Sequence, residues 1–93
     1  MMLQLETTGQ FRKDYKRVKK RGYDMNLLEN VIQTLLEEML LAEKYRDHPL
    51  TEKYSDFREC HILPDWLLIY AIKQDKLVLT ASHTRTHSDL FGK

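Results

Sequence analysis

The amino-acid sequence predicts one α+β domain, in the order β-α-α-β-β-β, with two N-terminal helices over one face of an antiparallel sheet. Three observations carry that prediction. Apolar residues recur at helical spacing through residues 11–39, the spacing changes to alternation from Asp56 onward, and only short turns separate the later strands. With 93 residues, 42% of them apolar, the chain supplies a single domain, residues 1–93, around one core.

Each element follows from its local pattern. Leu3 and Leu5 alternate with Gln4 and Glu6 as a short first strand, which Thr7, Thr8 and Gly9 end. Phe11, Tyr15 and Val18 then mark one face of a helix, leaving Lys13, Lys16, Arg17 and Lys20 on its outer faces, and Gly22 supplies the stop. A second helix begins at Asp24 or Asn26, the latter with Glu29 three residues on as in a capping box. Its stripe of Leu28, Val31, Ile32, Leu35, Leu36 and Met39 needs a flat apolar partner. The strands downstream provide it. Phe57, Glu59 and His61 alternate with Arg58, Cys60 and Ile62, and Pro64 and Asp65 turn the chain. The run Trp66 to Ile72 is apolar on both parities, as in a central strand covered on both faces. Gln74 and Asp75 then turn into a last strand, residues 77–83.

Composition excludes some classes of function. No apolar run approaches the roughly 18 residues of a membrane span, and the first ten residues lack the basic and apolar regions of a secretory signal. We therefore expect a soluble cytoplasmic protein with no membrane partner. One cysteine, Cys60, excludes an internal disulfide framework and reads as a half-buried thiol in a strand. The formal net charge of +1 conceals a segregation: residues 11–23 carry seven basic side chains against Asp14 alone, whereas residues 24–45 carry five acids against Lys44. Such a basic block is either a solvated helix face or a docking site for a polyanion, most simply nucleic acid.

The topology gathers polar residues at one edge of the sheet. The end of the second strand, the start of the third and the end of the fourth all reach it, so His61, Asp65, His83, Arg85 and His87 can converge there. His48 lies on a connection whose position is open from spacing alone. Imidazoles, a carboxylate and a guanidinium beside a basic helix, with no nucleotide-cofactor motif, match what RNA cleavage through its own 2′-hydroxyl requires. That reaction needs a base for the hydroxyl proton, a cation for charge developing on phosphoryl oxygens and an acid for the departing 5′-oxygen. Trp66 or Phe91 is placed to stack a splayed base.

Residues 45–50, YRDHPL, residues 57–70, FRECHILPDWLLIY, and residues 86–92, THSDLFG, together with the basic segment upstream, resemble the YafQ branch of the RelE/ParE toxin superfamily over nearly the whole chain. The resemblance implies a RelE-like fold and the toxin of a type II toxin–antitoxin pair. It implies an endoribonuclease that cuts messenger RNA in the A site of the 70S ribosome, a cognate antitoxin, and contact with operator DNA only through that antitoxin. It carries functional roles onto His48, His61, Asp65, Trp66, His87 and Phe91, and no cofactor or metal is expected. His87 is our choice of general acid, and Lys13, Lys16, Arg17 and Lys20 are the expected RNA-docking cations.

The chain departs from the family pattern at one place. His83 stands where the family carries a phosphate-binding arginine, and Arg85 stands where it carries glycine. Residues 83 and 85 of an extended chain point the same way, so we expect Arg85 to have taken over the cation's role with His83 as an RNA contact. Three alternatives stay open on the sequence: a metal site built from His83, His87, His48, His61 and Asp65, a ParE-like toxin that inhibits gyrase without nuclease activity, and a weakly active or inactive RNA-binding relative.

Overall fold

The computed structural model describes residues 2–50 and 56–84. They form β1 (Gln4–Thr7), α1 (Gly9–Lys20), α2 (Met25–Leu36), a 3-10 turn (Glu43–Tyr45), β2 (His48–Pro49), β3 (Arg58–Leu63), β4 (Trp66–Lys73) and β5 (Lys76–Thr84). The strands make one sheet in the order β1-β5-β4-β3-β2. The expected α+β plan holds, with two differences. The connection before β3 contributes a two-residue strand, β2, antiparallel to β3. And β1 pairs parallel to β5, so the sheet is mixed. Two-residue turns force β3, β4 and β5 to run antiparallel; no turn joins β1 to β5, and the two helices between β1 and the meander free it to run either way.

The caps explain where the helices begin and end. Thr8 caps α1, its Oγ1 accepting the Phe11 amide at 3.1 Å, and Gly22 stops it at φ +87°. Asp24, rather than Asn26, caps α2 by accepting the Asn26 amide at 3.0 Å. The stripe of α2 is shorter than its sequence suggests. Helical backbone ends at Leu36, Glu38 turns left-handed at φ 56°, and Met39 is 60% exposed.

Phe11 and Val18 of α1 and Leu28, Val31 and Leu35 of α2 are buried against Cys60, Trp66, Leu68, Tyr70, Leu77 and Leu79 of the sheet. Each such large side chain contributes about 1.5–3 kcal/mol of transfer free energy. β4 is the central strand, and Leu67 and Ala71 on its other parity are buried as well.

Helix α1 also replaces a strand. β1 accompanies β5 only as far as the Thr7–Leu79 pair. Beyond it, the Thr8 amide donates to the Leu79 carbonyl at 3.1 Å, the Thr8 hydroxyl to the Thr80 carbonyl at 2.6 Å, and the Ser82 amide to Asp14 Oδ2 at 2.9 Å. Asp14 is fully buried, so the one acid of the basic block points into the domain. Among the described residues no helix is long and apolar enough to cross a membrane.

Candidate active site

Three histidines share the sheet face opposite the helices. His61 of β3 and His83 of β5 stand directly opposite Leu67 of β4 on either side. Paired residues share a face, while Cys60, Leu68 and Ser82, one step along each strand, face the helices. Two strand spacings put the His61 and His83 backbones about 10 Å apart. His48 completes the group from the next row, where it pairs with Glu59. Its ring lies 6.3 Å from that of His61.

The backbone and its neighbours fix the His48 ring. Arg46 ends the 3-10 turn in the left-handed region, φ 48°. His48 Nδ1 lies 2.6 Å from the Arg46 carbonyl oxygen, and Nε2 lies 3.3 Å from Glu59 Oε1. Both ring nitrogens thus face oxygen atoms that hold the ring in one orientation. Asp47, one residue earlier, points the other way. Its Oδ1 accepts from the Tyr70 hydroxyl at 2.6 Å and from Arg58 Nε at 3.2 Å. Burial pushes the Tyr70 hydroxyl pKa upward, and its bond to Asp47 adds to the rise. Burial alone would lower the Arg58 pKa, but the bonds to Asp47 and Tyr70 outweigh it and raise the net value. The Asp-His pair therefore works as an inward anchor followed by an outward ring.

The β3–β4 turn behaves differently from the expectation. Asp65 Oδ2 accepts from the Tyr23 hydroxyl at 2.8 Å, and the Tyr23 ring meets Trp66 edge-on at 5.2 Å. Trp66 has no exposed surface, and its indole N–H donates to Ser82 Oγ at 2.8 Å. The indole is a core side chain and has no face left for a base, which corrects its expected stacking role. Its parity with Leu68 and Tyr70 is the reason. A crevice of about 500 Å³ opens instead beside His61, walled by Leu27, Tyr45, Arg46, Leu63 and Pro64.

A family model for the bacterial toxin of type II toxin–antitoxin systems, YafQ, matches residues 3–92. The chain belongs to this family. It is 44% identical over 89 residues, 95% of each chain, to the mRNA interferase toxin YafQ of Escherichia coli strain B / BL21-DE3. The structure of a metal-bound toxin from Helicobacter pylori superposes with a TM-score of 0.84 at 47% identity, covering 97% of this chain and 100% of that one. YafQ in the E. coli DinJ–YafQ complex superposes with a TM-score of 0.83 at 37% identity, covering 97% and 99%. Two helices between the first strand and the other four of a mixed five-stranded sheet are thus shared with the YafQ structures.

Within this chain, the remaining candidates divide as follows. Lys13, Lys16 and Lys20 are exposed on α1, and Arg17 is half-exposed with Nη1 3.5 Å from Asp14 Oδ1. His83 is exposed. Arg85, His87 and Phe91 lie outside the described residues. Cys60 is fully buried. Burial first, then the negative charges of Asp47 and Glu59, push its pKa from 9.0 to about 12, so it is a core thiol and no nucleophile. Among the described residues no group of three or more His, Cys, Asp or Glu is placed to hold a metal ion. Sequence reasoning passed over Asp14, Tyr23, Asp47 and Glu59. Asp47 stood inside the family motif, and Asp14 stood at the i+3 position of the Phe11 stripe, on its buried side.

Proposed function

We propose that this YafQ-family toxin is an endoribonuclease that cuts messenger RNA in the ribosomal A site by attack of the substrate's own 2′-hydroxyl on the adjacent phosphate. The observation that carries the reading is the placement of His48, His61 and His83 on one face of the sheet. Imidazole is the side chain whose ordinary titration range serves both acid and base near neutrality. A base takes the 2′-hydroxyl proton, and the 2′-oxygen bonds to phosphorus. The 5′-oxygen leaves with a proton from the acid, giving a 2′,3′-cyclic phosphate and a 5′-hydroxyl. His48, His61, Asp65 and His87 share the proton transfers, with His87 as the acid. Arg85 is the cation for the phosphoryl oxygens, and His83 is a contact beside it. The crevice with Tyr45 takes the neighbouring base in place of Trp66, and Phe91 remains a stacking candidate. Lys13, Lys16, Arg17 and Lys20 dock ribosomal RNA.

The relatives named above support this reading. The E. coli protein is an mRNA interferase and has been seen in complex with DinJ. By the same reading this chain has a cognate antitoxin, meets operator DNA only through it, and acts in the cytoplasm where ribosomes are. Inducible expression in a bacterium, with primer extension on a reporter message, tests the proposal. The parent should arrest growth and generate new message ends in frame with the codons, and His87→Ala should generate none. Growth arrest without new ends would instead favour the gyrase-directed alternative.

A further inference from the structure

We infer that Asp14 is a positioning residue for the reaction: from inside the RNA-docking helix, its buried carboxylate holds the end of β5, and with it His83, in place against the substrate. The inference rests on the nuclease reading above and adds a residue with no role in it so far.

Two observations make Asp14 unusual. It is fully buried on a helix whose other charged residues are cations, and where it makes contact the edge of β5 away from β4 has no strand beside it. Asp14 Oδ2 accepts the Ser82 amide at 2.9 Å, the bond that a neighbouring strand's carbonyl would otherwise make. Oδ1 accepts from Gln10 Nε2 at 2.9 Å and faces Arg17 Nη1 at 3.5 Å. Every group around the carboxylate is therefore a donor. Ser82 in turn holds the Trp66 indole through its hydroxyl, and the next residue is His83. At the C-cap of α1, Arg21 Nη1 donates to Thr84 Oγ1 at 2.7 Å. The strand end that presents His83, and from which residues 85–87 continue, is tied on both sides of His83 to the helix that docks RNA.

This arrangement makes helix and strand end one rigid unit. The carboxylate offers one oxygen to the Ser82 amide and the other to Gln10, and an alanine there offers neither. Asp14→Ala therefore removes the acceptor that holds the strand end. The strand end should then loosen while the exposed lysines of α1 are untouched.

The test uses the full-length chain with ribosomes programmed with a reporter message, and compares the parent, Asp14→Ala and Val31→Ala. The last is a control that opens the core from α2, outside the Asp14–Ser82 contact, and lowers the thermal midpoint. Asp14→Ala should lower the maximal cleavage rate about tenfold at saturating ribosome, with half-saturation within twofold of the parent. Val31→Ala should keep the maximal rate below its midpoint. Hydrogen exchange gives a second readout that needs no cleavage. The Ser82 amide should exchange at least ten times faster in Asp14→Ala, with Leu77 and Leu79 unchanged. An Asp14→Ala maximal rate equal to the parent's, a loss shared equally by Val31→Ala, or an unchanged Ser82 amide would overturn the inference. An inactive parent would refute the nuclease reading itself.

Discussion

Trp66 and His83 stand one pairing step apart on adjacent strands, and the pleat sends them to opposite faces. His83 is exposed beside His61 across Leu67, whereas Trp66 closes the core between Tyr23 and Ser82. Trp66→Phe therefore removes a hydrogen bond and leaves Ser82 Oγ without its donor, at a cost of about 1–3 kcal/mol. The thermal midpoint should fall, while cleavage per folded molecule in the ribosome assay stays near the parent's. A large loss of cleavage at unchanged midpoint would return the indole to the RNA. Cys60 gives a prediction in pH. Its thiol pKa is raised from 9.0 to about 12 in the folded chain, so the unfolded chain ionises first. The stabilisation is complete below pH 9 and is lost as pH rises from there toward 12. Iodoacetamide at pH 8 should label the native protein far more slowly than the denatured one, and rapid native labelling would contradict the burial. At the departure from the family pattern, Arg85→Ala should cost about a hundredfold in cleavage if Arg85 supplies the phosphate cation, by analogy with one oxyanion donor worth roughly 2.7–4 kcal/mol. Arg85→Gly combined with His83→Arg should recover it.

Helix α1 does two jobs at the scale of an element. Its outer face carries Lys13, Lys16 and Lys20, and its inner side closes the free edge of β5 through Thr8 and Asp14. Replacing the three lysines with Gln should flatten the salt dependence of ribosome co-sedimentation and leave the melting curve in place, because each phosphate that is no longer neutralised takes about one unit off the slope. An unchanged slope would make the block a solvated face. Thr8→Ala should do the reverse. It removes the α1 cap and the bond to Thr80, costing roughly 1–2 kcal/mol of stability by thermal melt with the salt slope intact. The elements themselves were legible in the sequence because helix period, strand alternation and turn residues are local signals. Asp24 and Gly22 delimit the helices by side-chain capping and by a left-handed turn, both readable from residue type. The parallel pairing of β1, the two-residue β2 and the inward Asp14 were not, since each depends on what lies alongside from a distant part of the chain.

Over the whole molecule, the sheet order decides what the site can contain. Placing β4 centrally, with β3 and β5 on either side, brings His61 and His83 to one row. β2 adds His48 at the edge, anchored through Asp47 to Tyr70 and Arg58. The meander made the convergence of His61 and His83 foreseeable. The place of His48 was hidden because two residues carry no strand periodicity. What unites the account is the proposal that a face with three imidazoles, flanked by a cationic helix, carries out proton transfer on RNA held by the ribosome. The most direct measurement is primer extension on purified ribosomes programmed with a reporter message, using the parent chain, His48→Ala and His61→Ala. The account predicts new ends within the A-site codon for the parent, none on the same message without ribosomes, and a loss of at least about a hundredfold in each variant at unchanged thermal midpoint. Parent-level cleavage by both variants would contradict it.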